Sequence, residues 1–263
     1  MSFSGTTVWI TGASSGIGEA CAYEFARRGA QLVLSARNAE KLEAVKQACP
    51  RPDDVAVVPL DLSDNAGFDD LVEKVWSNYG PIDIYLGNGG LSQRAWCRDT
   101  NMDTHRYLME VNFFGHVALT RALLPLMRER GKGHFAMVSS LVGKFGFKMR
   151  TGYAASKHAL HGFYDSLRLE EHDAGIGVTL ICPGFIRTEL SKVAMTGEGK
   201  PQGSMDNNQA GGMPPEVCAR KMVDAIAAGK HEVAIGGTER FGVLLKRFLP
   251  GVLYRMSLKK SAQ

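Results

Sequence analysis

The sequence predicts an α/β fold, a single domain built on a doubly wound parallel sheet of about seven strands with helices on both faces. Three observations predict it. Short apolar runs recur along the chain, separated by longer stretches of helical period. The runs are continuously apolar rather than alternating, as strands buried on both faces require. No internal repeat, low-complexity tract or linker divides the 263 residues, so one domain, 1–263, accounts for the chain.

In chain order, TVWIT (7–11) is the first strand and is followed by a helix over 16–28. QLVLSA (31–36) leads to a helix over 39–49, and VAVVPL (55–60) to one over 68–79. IDIYLG (82–87) precedes a single long helix over 103–130. HFAMVSS (134–140) precedes a helix over 152–174, and GVTLICP (177–183) is the sixth strand. A helix over 215–228 and HEVAIGG (231–237) complete the alternation. In such a sheet ligands bind beyond the carboxyl ends of the strands, so the chemistry belongs just after each one.

Composition narrows the function. Hydrophobic content of 44% and charged content of 22% suit a globular protein with a substantial core. A formal net charge of +4 with no long basic run gives nucleic-acid binding no support. The five cysteines are dispersed and odd in number, which argues against a disulfide scaffold or a structural zinc site. Reduced thiols, no secretory signal pattern and no apolar run long enough to span a bilayer lead to a cytoplasmic expectation.

After the first strand comes TGASSGIG (11–18). Glycine permits a tight turn and close approach of the backbone to a phosphate, and the next helix offers its free N–H groups. Gly12, Ser14, Ser15, Gly16, Ile17 and Gly18 are therefore candidate dinucleotide contacts. The spacing G-x-x-x-G-x-G is neither the usual dinucleotide fingerprint nor a Walker loop. The second strand ends Ser35-Ala36-Arg37, without the carboxylate that would bind the free ribose hydroxyls of NAD. Arg37 suits a 2′-phosphate instead, so NADP (NADPH) is favoured over NAD.

YAASK (153–157) places a phenol and an ammonium four residues apart, on one face of a helix. A phenol keeps its proton to about pH 10, and a nearby cation favours the phenolate. The pair is either a proton donor and acceptor or a polar helix face.

Together TGASSGIG, Asn88-Gly89-Gly90, Asn112, Ser140 and YAASK resemble the short-chain dehydrogenase/reductase family. The likeness runs through PGFIRT (183–188) and points to the compact, single-domain, Rossmann-like branch. The resemblance implies Tyr153 as general acid/base, with Lys157 lowering its pKa and binding the nicotinamide ribose. It implies that Ser140 binds the substrate oxygen, with Ser139 its buried neighbour, and that Asn112, in the long helix, holds a water linking Lys157 to solvent. Asp61 and Leu62 would lie near adenine, Asn88 near its ribose, and Ile186 and Thr188 at the nicotinamide amide. The implied activity interconverts a carbonyl and a secondary alcohol on an apolar small molecule, in a homodimer or homotetramer. The alternative is a catalytically silent dinucleotide-binding regulator or scaffold. One departure stands out: Gly87-Asn88-Gly89-Gly90 replaces the family's usual Asn-Asn-Ala-Gly. This removes a possible tie between strands and predicts a looser turn.

Other features carry weaker readings. His158 and His161 lack a third ligand, so no metal is expected. The aperiodic segment about 189–214 is expected to be a substrate lid, with Met195, Met205 and Met213 as adaptable contacts. Phe145, Phe147 and Met149 either add to the same wall or pack in the core. The tail, about 239–263, is apolar and basic enough to touch a membrane surface. Packing over the substrate pocket or a subunit interface is the favoured reading.

Overall fold

The computed structural model describes residues 1–259. Its strands are β1 (Thr7–Thr11), β2 (Gln31–Ser35), β3 (Val55–Val57), β4 (Ile84–Gly87), β5 (Gly133–Val138), β6 (Ile176–Pro183) and β7 (Glu232–Ile235). They form one parallel sheet in the order β3-β2-β1-β4-β5-β6-β7. The helices are α1 (Gly16–Arg27), α2 (Ala39–Ala48), α3 (Phe68–Tyr79), α4 (Met102–Met109) and α5 (Gly115–Glu129). They continue with α6 (Thr151–Glu170), α7 (Asn207–Ala210), α8 (Pro215–Ala227), α9 (Gly242–Phe248) and α10 (Pro250–Lys259).

The continuous apolar strands follow from two cores. In β1, Val8 and Ile10 face the layer that holds α1, α2 and α8, while Trp9 faces the layer that holds α3, α5 and α6. Leu32 and Leu34 against Val33, and Ala136 and Val138 against Phe135 and Met137, repeat the division. Each large side chain so buried is worth about 1.5–3 kcal/mol. β2 lies on one side of β1 and β4 on the other. The crevice beyond the ends of β1 and β4 is the topological switch point, where ligands bind in open α/β sheets.

The expected long helix over 103–130 is interrupted. Glu110–Phe114 forms a wide π-helical turn between α4 and α5. Gly115 follows it at a close approach, since a Cβ there would lie 2.2 Å from the Leu62 carbonyl oxygen. The helix expected over 152–174 stops at Glu170, and a short 3-10 turn follows. The segment expected as a lid contains a 3-10 turn at Glu189–Ser191 and the short α7. The tail folds into α9 and α10, and its last residues, 260–263, lie outside the described residues.

Candidate active site

The glycine turn after β1 forms one wall of a cavity of about 460 Å³. Gly12 and Gly16 take φ of +64° and +60°, the left-handed region where a side chain is disfavoured. A Cβ on Gly12 would sit 2.7 Å from the Gly89 Cα, so the turn and the end of β4 touch main chain to main chain. Gly12, Ser14, Ser15, Gly16 and Ile17 line the cavity. Gly18 is not among the lining residues. Its Cβ position lies 2.2 Å from the Gly12 carbonyl oxygen and 2.6 Å from Asn88 Nδ2, so it is glycine for packing behind the turn.

Asn88 Nδ2 donates to the carbonyls of Thr11 (3.1 Å) and Gly12 (3.2 Å), which ties the two strand ends together. The turn at Gly87-Asn88-Gly89-Gly90 is held firmly, contrary to the looseness expected. The Thr11 hydroxyl accepts from the N–H groups of Asn88 and Gly89, both at 3.1 Å. His116 Nε2 lies 2.7 Å from the Gly89 carbonyl, and its Nδ1 lies 2.8 Å from the Tyr85 hydroxyl. Burial pushes the His116 imidazole down to about 4, so it is neutral and Nε2 donates. Met137 fills the space a Gly87 side chain would take.

At the far end of the cavity, Ala36, Arg37 and Lys41 lie together, with Asp61, Leu62 and Asn88 along its length. Ile186 and Thr188 line it as well, as do Ser140, Tyr153 and Lys157, and the Thr188 side chain packs against Gly16. This donor set fits a nicotinamide dinucleotide: a glycine turn before a helix, a cationic end, and a polar group of proton carriers opposite.

Tyr153 and Lys157 sit on α6, whose first turn is capped from outside. The Gln93 Oε1 accepts from the N–H groups of Gly152 (2.8 Å) and Tyr153 (3.2 Å), two donors that the start of a helix leaves without partners. Gln93 is fully buried. The Lys157 ammonium donates to the Val138 carbonyl at 2.8 Å and stands 5.9 Å from the centre of the Tyr153 ring. Asn112 lies on the wide turn, not in a continuous helix. Its amide donates to the Leu91 carbonyl (2.9 Å) and the Ser156 hydroxyl (3.0 Å) and accepts from Leu91 N–H (2.7 Å). Asn112 does not line the cavity. Ser139 is buried and reaches the Lys157 carbonyl at 3.1 Å and His161 Nε2 at 3.0 Å. Among the described residues no group of three His, Cys, Asp or Glu side chains is placed to hold a metal.

The charge balance differs from expectation. Burial raises the Tyr153 phenol above its ordinary value; the Ser140 hydroxyl and then the charges of Arg94 and Arg150 pull it back. The sequence assigned that pull to Lys157. Here its ammonium is engaged with Val138, and burial pushes it down to about 8.

A second cavity of about 290 Å³ adjoins the first. Phe145, Phe147, Phe185 and Phe241 line it together with Leu245, Leu253 and Met256. Met149, Met195, Met205 and Met213 line neither cavity. Met195 is instead buried beside the β4 loop, where it exchanges backbone hydrogen bonds with Ser92 (2.9 Å) and Arg94 (2.8 Å). Arg94 and Arg150 lie in the same wall. Arg94 grips Asp206 through both Nε and Nη2 and also reaches Ser92 and the Gln93 carbonyl. Arg150 meets the same Asp206 oxygen at 3.2 Å. Burial alone would raise the Asp206 carboxyl, but hydrogen bonds from Arg94 and Gln202 and the arginine charges hold it below its usual value.

Comparison with known proteins identifies the frame. The sequence pattern of the short chain dehydrogenases matches residues 6–199. The chain belongs to the short-chain dehydrogenase/reductase family. It is 39% identical over 265 residues to a dehydrogenase/reductase SDR family protein 7-like of Drosophila melanogaster, covering 98% of this chain and 81% of that one. It is 41% identical over 234 residues to the human dehydrogenase/reductase SDR family member 7, covering 87% of this chain and 69% of that one. Among solved structures, a short-chain dehydrogenase from Streptomyces avermitilis superimposes with a TM-score of 0.79 at 29% identity, covering 96% of each chain.

In this short-chain dehydrogenase/reductase, five residues near the site belong to no motif: Lys41, Gln93, Arg94, Arg150 and Asp206. Gln93 and Arg94 follow a strand end, where ligand contacts are expected, and that position is the available signal. Nothing in the sequence marks Asp206 as buried, because its partner lies 112 residues away.

Proposed function

We propose that this short-chain dehydrogenase/reductase uses NADP(H) to interconvert a carbonyl and a secondary alcohol on an apolar small molecule. One observation carries the reading: Tyr153 and Ser140 line both cavities, at the place where the dinucleotide cavity meets the aromatic one. The nicotinamide, when bound, supplies or accepts hydride. Tyr153 gives the carbonyl oxygen its proton in reduction and takes it back in oxidation. Ser140 hydrogen-bonds the same oxygen as charge develops on it. Lys157 holds a cation beside them, and Gln93 fixes the helix end that carries the phenol. The side chains of Phe145, Phe147, Phe185 and Phe241 suit a hydrophobic body. The segment 189–214, which supplies Leu190 and Gln209 to both cavities, acts as the lid.

A silent dinucleotide-binding regulator would be free to lose Tyr153, Ser140 or Lys157, and all three are present and gathered. The test is NADPH oxidation across a panel of ketones, aldehydes and quinones. Turnover that Tyr153→Phe abolishes supports an enzyme; no turnover with tight NADPH binding supports the regulator. The proposal extends to a cytoplasmic homodimer or homotetramer. Free thiols motivate the first part. The second rests on the aromatic group of Phe113, Phe114 and Phe163, in which Phe114 is 47% exposed. A monomeric mass by light scattering would refute the assembly.

A further inference from the structure

α9 and α10 are two-sided. Gly242, Leu245, Leu253 and Ser257 turn toward the aromatic cavity. On the other side Leu244, Phe248, Leu249, Tyr254 and Leu258 stand between 54% and 68% exposed. Among the described residues, seven of the fourteen exposed large hydrophobic side chains fall between Phe241 and Leu258. Scattered exposed apolar residues need no explanation, but a contiguous set rimmed by charge marks an interaction surface.

The charges this segment carries beyond Glu239 are of one sign. Arg240, Lys246, Arg247, Arg255 and Lys259 are all exposed, and no Asp or Glu follows Glu239 in the chain. The guanidinium groups of Arg240 and Arg247 lie over the rings of Phe241 (5.3 Å) and Phe248 (5.9 Å), so cations and exposed aromatic rings share one surface. A second copy of this face would set five cations against five. A surface of anionic headgroups over hydrocarbon complements both the rim and the apolar centre.

Phe241 and Met256 connect the two sides. Each lines the aromatic cavity, yet they are 52% and 48% exposed on the patch. We propose that the α9–α10 face docks on an anionic phospholipid surface, and that the cavity opens onto it so that an apolar substrate enters from the lipid. The entry route rests on the function proposed above; the docking does not.

The test is flotation of the full chain, without substrate, on vesicles of phosphatidylcholine alone or in equal parts with phosphatidylserine. Binding is expected on the mixed vesicles and should weaken as salt is raised. Each basic residue near such a surface contributes about fivefold, so Lys246→Gln with Arg247→Gln should weaken binding roughly 25-fold. Leu244→Ser with Phe248→Ser should abolish it while leaving turnover of a water-soluble carbonyl unchanged. Should those variants fold poorly, protection of 241–259 from hydrogen exchange by mixed vesicles in the unaltered chain gives the same answer. No flotation at low salt would overturn the proposal. So would a dimer that Leu244→Ser with Phe248→Ser splits, since that would assign the face to a second copy.

Discussion

Around the glycine turn, the wall of the dinucleotide cavity is largely main chain: Gly12 against Gly89, Gly18 against the Gly12 carbonyl, Asn88 bridging two carbonyls. Around Phe147, the wall of the adjoining cavity is side chain, contributed by five separate stretches between Ser92 and Ser257. The first wall is shaped by two short stretches, 11–18 and 88–90, brought together across 77 residues of chain. The second is assembled across the chain and held by a buried ion cluster, Arg94, Asp206 and Arg150. Backbone complementarity suits an invariant ligand such as a dinucleotide. A wall of side chains can change its shape without disturbing the sheet.

Tyr153 belongs to both walls, so its removal should have the largest effect. Tyr153→Phe keeps the ring and loses the proton-bearing oxygen. Catalysis should fall about 10²–10⁴-fold, the usual worth of a general acid/base. NADPH affinity, by titration, should stay within a few-fold of the unaltered chain. A comparable loss of NADPH affinity would show that the phenol serves the dinucleotide wall more than the reaction.

Asp206 tests the substrate wall alone. Asp206→Asn leaves Arg94 buried without its carboxylate, a change that typically costs about 3–5 kcal/mol. The urea midpoint should drop accordingly. NADPH affinity of the remaining folded protein should be unaffected, because Asp206 does not line the dinucleotide cavity. A shift below about 0.5 kcal/mol would place the cluster among surface substitutions and remove it as the clamp on 189–214.

The contrast between the walls also explains what is legible in the sequence. The parallel strands, the helices on both faces and the glycine turn follow from patterns a few residues long. The turn at Gly87 is misleading, since the ties that replace the missing asparagine come from Thr11 and His116, on other elements. Gly18 belongs to the expected motif but packs behind it, because spacing cannot distinguish a glycine facing a ligand from one facing a carbonyl. The wide turn at Asn112 is hidden because no Gly or Pro stands within Glu110–Phe114 to mark a break in the helix. The clamp between Arg94 and Asp206 is out of reach, since burial of a charged pair is a property of the folded chain.

Lys157 lines the dinucleotide cavity and not the aromatic one, and its ionisation gives a pH signature. Its folded pKa is near 8, below the ordinary 10.5, so the unfolded chain binds more protons between those values. Stability therefore rises with pH across that window through this group, and below pH 8 the cost of burying the cation is fully present. Other groups titrate there too, so the difference between Lys157→Met and the unaltered chain is the quantity to follow. The variant should be more stable by about 3 kcal/mol at neutral pH, at 1.36 kcal/mol for each pKa unit. That advantage should shrink between pH 8 and 10.5. A constant difference would mean that the ammonium is solvated and that Val138 is not its partner.

The smallest effect is expected at the far end of the main-chain wall, where the ligand is chosen by side chains after all. Ala36 offers no acceptor to a bare ribose, while Arg37 and Lys41 both line that end of the cavity. Lys41 lies in the first turn of α2, whose cap is the Asn38 side chain accepting from the Lys41 N–H at 2.8 Å. A 2′-phosphate placed there meets a guanidinium and an ammonium, and a charged hydrogen bond is worth roughly 1.5–3 kcal/mol. NADP(H) should therefore bind at least about tenfold tighter than NAD(H). Ala36→Asp with Arg37→Ser should reverse the order, and Lys41→Met alone should narrow it, without altering the urea midpoint or the ratio of turnover among carbonyl substrates. Equal affinity of the unaltered chain for both dinucleotides would leave the hydride chemistry standing and show that Arg37 and Lys41 serve the solvent, not the phosphate.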